Sequence, residues 1–133
     1  MNQANTDSAK LPRIILVDDE KITLFLTQRI LLNHDSGFVI EVFQSGKEAI
    51  LYLATQSNLN NTVILLDINM PIYNGWDFLS DFSSAHITCP VFMFTSSIDK
   101  NDIQRSETYE VVKGFISKPL TSEKIEFFLS NSN

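Results

Sequence analysis

Five short apolar runs, near residues 13–17, 38–43, 63–67, 91–95 and 114–117, recur along the chain, each rich in β-branched or aromatic residues. Runs of this length and composition predict strands. They are continuously apolar rather than alternating, which suits parallel strands covered on both faces. Between them the spacing turns helical near 21–33, 46–55, 75–83 and 101–110, and again after the last run near 122–130. Ser45 and Glu48 have the Ser-x-x-Glu form of a capping box, which fixes the start of the second helix. Strand and helix in regular alternation predict an α/β fold with a doubly wound parallel sheet of five strands.

The first helix is apolar on more than one side. At 100° per residue Ile22, Phe25, Leu26, Ile30 and Leu32 fill one broad stripe, which is expected to face the sheet. Leu24 and Leu31 then project from the opposite face. Two readings stand for them: Leu31 covered by the following loop with Leu24 a scattered surface residue, or both forming a docking patch.

Composition narrows the classes. At 133 residues the chain is one domain by length, large enough to bury roughly two-thirds of its unfolded surface without disulfide support. A formal net charge of −6 argues against a surface for nucleic acid, whose phosphates need clustered Lys and Arg. The lone Cys89 cannot make an internal disulfide, no Cys/His spacing suggests zinc, and a small buried hydrophobe at a strand start is the expected role. Residues 1–12 are polar and read as a flexible tail rather than a signal peptide, with a short closing tail at 131–133 and the folded domain at 13–130. No run is long enough to cross a membrane, so a cytoplasmic protein is expected.

The chemistry lies where the apolar runs end. The first run gives way to Asp18-Asp19-Glu20, the third to Asp67, the fourth closes on Thr95, and the fifth is followed by Lys118-Pro119. In an open α/β sheet ligands bind outside the carboxyl ends of the strands, so these groups are expected to meet. Three carboxylates within a few ångströms ionise together only beside a cation, and Mg²⁺, which takes oxygen ligands and few of them from protein, fits. A carboxylate can also attack phosphorus to give an aspartyl-phosphate. Asp67 is then the acceptor and Asp18 and Asp19 hold the metal. Lys118 and the Thr95 hydroxyl would neutralise the equatorial oxygens during in-line transfer. An Asp pair after a strand also has a plainer use, since the helix macrodipole favours acids at an N-terminus. The joint pattern over four strands is what favours the functional reading.

The pieces Ile15-Leu16-Val17-Asp18-Asp19-Glu20, Ser45-Gly46-Lys47-Glu48-Ala49-Ile50, Leu66-Asp67-Ile68-Asn69-Met70-Pro71, Asn74-Gly75-Trp76-Asp77-Phe78-Leu79, Phe94-Thr95-Ser96 and Ser117-Lys118-Pro119 together resemble a response-regulator receiver domain of two-component signalling, over roughly residues 12–130. The resemblance implies a flavodoxin-like (βα)5 sheet of order 2-1-3-4-5. It implies Mg²⁺ bound by Asp18, Asp19, Asp67 and the Asn69 backbone carbonyl, and phosphorylation of Asp67 by a histidine kinase or histidine phosphotransfer protein. It also implies a cis peptide between Lys118 and Pro119 that aims the lysine into the site. Thr95 and Phe115 fall at the family's switch positions, the aromatic ring packing inward when the hydroxyl moves to the phosphoryl group. Ser96 replaces the usual alanine, and residues 97–114 lack the segment common before the fifth strand, which leaves the fourth-helix surface open.

With no output domain after Asn133, the chain resembles the stand-alone receivers, signalling to an unknown downstream protein rather than working as an enzyme beyond its own phosphorylation and dephosphorylation. The output surface is expected from Ile103, Tyr109, Phe115 and the helix holding Lys124 and Phe128. Two other classes fit less well. A haloacid-dehalogenase-type phosphatase needs a second Asp two residues beyond its nucleophile, where this chain has Asn69. A flavodoxin needs a phosphate loop after the first strand, where Asp18-Asp19-Glu20 would repel the phosphate.

Overall fold

The computed structural model describes residues 11–96 and 98–132. Strands β1 (Arg13–Val17), β2 (Val39–Phe43), β3 (Thr62–Leu66), β4 (Val91–Thr95) and β5 (Val112–Ser117) alternate with helices α1 (Lys21–His34), α2 (Gly46–Ala54), α3 (Gly75–Ser84), α4 (Lys100–Ser106) and α5 (Ser122–Ser130). All strand pairs are parallel, in the order β2-β1-β3-β4-β5, which is the expected flavodoxin-like topology. Every residue of β3 and β4 is buried, because these central strands carry helices on both faces. The expected N-terminal tail lies mostly outside the described residues.

Two apolar layers sandwich the sheet. Ile15, Val17, Ile64, Leu66 and Met93 point to one side, where Leu53, Phe78 and Phe82 of α2 and α3 cover them. Ile14, Leu16, Val63, Leu65 and Phe92 point to the other, against Leu24 and Leu31 of α1 and Ile125 and Phe128 of α5. Each completely buried side chain of this kind contributes about 1.5–3 kcal/mol of transfer free energy. Cys89 is free and buried, and burial pushes its thiol up to about 12, so it remains a protonated hydrophobe.

α1 is rotated relative to the expectation. Leu24, Thr27 and Leu31 form its inner face, whereas Ile22, Phe25 and Leu26 are 75%, 56% and 53% exposed. Leu24 and Leu31 are therefore core residues and form no docking patch, nor is either a surface residue. The larger apolar arc does not decide which side packs. The chain leaves β1 through a turn in which the Glu20 N–H donates to Asp18 Oδ1 (2.9 Å).

Smaller differences have local causes. α4 is shorter than its spacing predicts, because the Ser106 hydroxyl donates to the Ile103 carbonyl (2.7 Å) and the Thr108 hydroxyl to the Arg105 carbonyl (2.8 Å), competing with the helix ladder. β5 begins earlier than expected and carries a bulge, with Val91 opposite Val112 but Phe92 opposite Gly114. At α2 the Ser45 hydroxyl accepts from the Glu48 N–H (3.3 Å), and the reciprocal capping box occurs at α3, between Asn74 and Asp77. Phe128 is completely buried, so the exposed aromatic of α5 is Phe127.

Candidate functional site

Parallel register brings the expected groups to one edge of the sheet. β1 and β3 run side by side with Val17 opposite Leu66, so Asp18 and Asp67 emerge together, and the Asp67 N–H donates to the Val17 carbonyl (3.0 Å). Carboxylate oxygens of Asp18, Asp19 and Asp67 all lie within 4.8 Å of one another. Asp18 and Asp67 are buried, and Asp19 is half-buried at the mouth. Two strands further on, Thr95 lies opposite Ser117, and the Lys118 N–H donates to the Thr95 carbonyl (2.8 Å). The Thr95 side chain is completely buried at the end of β4.

Lys118 enters this acidic group. Its Nζ lies 2.7 Å from Asp18 Oδ2, 3.7 Å from Asp67 Oδ1, and 5.5 Å from the centre of the Phe94 ring. The Lys118–Pro119 peptide is cis. The turn is pinned from α5, where Lys124 Nζ donates to the carbonyls of Ser117 (2.8 Å) and Pro119 (3.0 Å). The helix that holds Lys124 was expected to contribute to the output surface; Lys124 lines the groove beside Phe115 and also holds the turn that carries Lys118.

Three carboxylates against one ammonium leave a negative excess. Burial pushes Asp67 above the usual carboxylate range, and the neighbouring charge of Asp18 adds to this; Lys118 and the hydrogen bond from the Asn69 N–H (3.3 Å to Oδ1) work the other way. A buried carboxylate held up by its neighbours is what a missing positive charge produces, and a hard divalent cation on those oxygens would supply it. The donor set is all oxygen, so the residues fit such an ion.

Other predicted residues fall further out. Phe115, opposite Met93 on β5, is half-buried and lines a surface groove of about 340 Å³ with Ile98, Lys124 and Phe127. Tyr109 stacks on Trp76 (6.3 Å between centroids), and Arg105 lies 4.5 Å over the same indole. Phe127, unlike Phe128, reaches the groove. The apolar stripe of α1 was visible on the helical wheel but assigned to the buried side, whereas Ile22, Phe25 and Leu26 face outward. The loop after Asp67 that contains Ile72 and Tyr73 had gone unnoticed, having no pattern of its own.

Comparison with known proteins places these residues in context. The family described as response regulator receiver domain matches residues 14–129. A two-component response regulator from Cytophaga hutchinsonii superposes with a TM-score of 0.80 at 29% identity, covering 91% of this chain and 96% of that one. A response regulator receiver protein from Dyadobacter fermentans gives 0.76 at 30% identity, over 87% and 94%. A protein-glutamate methylesterase/protein-glutamine glutaminase of Trichodesmium erythraeum is 30% identical over 108 residues, 80% of this chain but 30% of its own length. The chain spans between 30% and 50% of the length of the curated relatives it matches first.

Proposed function

The chain belongs to the response regulator receiver domain family, and from that premise we propose that Asp67 accepts a phosphoryl group from a histidine of a partner kinase or phosphotransfer protein, in the cytoplasm. The observation that carries this reading is the convergence of Asp18, Asp19 and Asp67 with Lys118 at the carboxyl end of the sheet.

In the proposed step an Asp67 oxygen bonds to phosphorus as the donor's P–N bond breaks, and a proton already on the donor's other ring nitrogen lets the histidine leave as neutral imidazole. Charge spreads over three equatorial oxygens in such a transfer, so positioning and neutralisation carry the catalysis. Lys118 already spans Asp18 and Asp67 and would meet a phosphoryl oxygen on Asp67. The Thr95 hydroxyl lies at the neighbouring strand end. Mg²⁺, held by Asp18, Asp19, Asp67 and the Asn69 carbonyl, would neutralise the acids and the transferring oxygens. Water later cleaves the acyl phosphate, releasing inorganic phosphate and restoring the carboxylate.

The partner's approach is supported by α1. It starts directly after the acids, and Ile22, Phe25 and Leu26 expose an apolar stripe beside the site. The signal then passes to a downstream protein through a surface that depends on phosphorylation.

Incubation with acetyl phosphate tests the reading. We expect one labile phosphoryl group per chain, formed with Mg²⁺, abolished by chelator and released by hydroxylamine, as an acyl phosphate is. Turnover of phosphomonoesters with no adduct would favour a phosphatase instead.

A further inference from the structure

The loop between β3 and α3 is under strain beside the acceptor. Asn61, Ile72 and His86 are the non-glycine residues with left-handed φ among the described residues, and Ile72, at φ 70°, is the only β-branched one. The Tyr73 N–H donates to the Pro71 carbonyl (2.7 Å), so Ile72 centres a γ-turn of the rarer, strained hand. Its side chain gains no burial in exchange, being wholly exposed. Such a conformation persists only where its surroundings over-determine it.

The contacts that hold it lie on either side. Met70 is buried upstream. Downstream, the Tyr73 hydroxyl donates to the Asp81 carboxylate of α3. The Tyr73 ring lies 5.7 Å beneath Lys47 Nζ and packs on Gly46, the first residue of α2. The fit is close: a Cβ at Gly46 would lie 2.7 Å from that ring. Asp19 lines the cleft that these residues border. Tyr73 thus ties the segment following Asp67 to two helices.

We propose that Tyr73 is a positioning residue for the acceptor site: by fastening this loop to the start of α2 it keeps the Asn69 backbone carbonyl where cation binding requires it. The inference rests on the reading of Asp67 as a phosphoryl acceptor beside Mg²⁺.

Mg²⁺ titration calorimetry on wild type, Tyr73→Leu, Tyr73→Phe and Gly46→Ala tests it, with melting temperatures taken in chelator. Tyr73→Leu should weaken Mg²⁺ binding roughly tenfold, by analogy with the loss of groups that orient a metal's ligands. Acetyl-phosphate labelling should slow at low Mg²⁺ and recover at saturation. Tyr73→Phe, keeping the ring, should fall between. Gly46→Ala sets a methyl against the ring and displaces it, so it should weaken Mg²⁺ binding by more than any fall in the metal-free melting temperature accounts for. Wild-type Mg²⁺ affinity in Gly46→Ala overturns the proposal, and this variant decides alone if Tyr73→Leu does not fold. A wild-type protein that binds no Mg²⁺ and takes no label refutes the acceptor reading itself.

Discussion

Asp67 is held where its charge is disfavoured. Burial and Asp18 raise its proton affinity in the folded chain above that of an ordinary carboxyl. Below the ordinary carboxyl range it is protonated whether the chain is folded or not, and it costs nothing. As pH rises through its raised pKa, ionisation becomes harder in the folded state than in the unfolded one, so stability is lost. Asp67→Asn, measured in chelator, should therefore melt at a higher temperature than wild type at pH 7. The gain should shrink as pH falls and vanish below about pH 3, where carboxyls are protonated in both states. A variant no more stable than wild type at neutral pH would mean that the site already neutralises the acid. That Asp67, the paired acids, Thr95 and Lys118 would meet at one edge of the sheet was legible in the sequence because each ends or follows an apolar run. The pinning of the lysine's turn by Lys124 was not, since a Lys in a helix looks like any solvated cation until its carbonyl partners are located.

At the level of elements, α1 has one packed face and one exposed apolar face. Leu24→Ala or Leu31→Ala should cost about 2–5 kcal/mol, as removal of a buried leucine side chain does. Replacing Phe25 and Leu26 together with Ser should change stability by about 1 kcal/mol or less, since both project outward. The same double variant should keep its labelling by acetyl phosphate and lose rate with a phosphohistidine protein donor. Equal transfer rates with the protein donor would remove this face from the account. Spacing assigned these two sets of residues to the wrong sides. A helix with two apolar arcs has no strong preference written in its periodicity. The end of α4 was hidden for a similar reason, as hydroxyl bonds of Ser106 and Thr108 to nearby carbonyls override the helical pattern. The loop at Ile72 and Tyr73 was hidden further still, because an exposed isoleucine in a γ-turn contradicts every local preference of that residue.

For the whole molecule, the alternation of strands and helices made the topology legible, and the topology makes the site: acids from β1 and β3, a hydroxyl from β4 and an ammonium from β5 reach one edge because all five strands run the same way. From this edge the neighbouring strand leads to another surface. Thr95 and Phe115 lie on adjacent strands, and Phe115 opens onto the groove with Ile98 and Phe127. If the ring and hydroxyl move together on phosphorylation, a partner that prefers one arrangement can gain typically about 1–3 kcal/mol of coupling. Beryllofluoride, a phosphoryl mimic, should then perturb backbone NMR shifts along residues 98–118 more than along 39–54. Perturbation confined to the immediate neighbours of Asp67 would place the output elsewhere. All of this depends on Asp67 being the acceptor, which intact-mass measurement after incubation with acetyl phosphate and Mg²⁺ tests most directly. Wild type should gain one phosphoryl group per chain and folded Asp67→Asn none, whereas equal labelling of the variant, with the adduct mapped to another residue, would contradict the account.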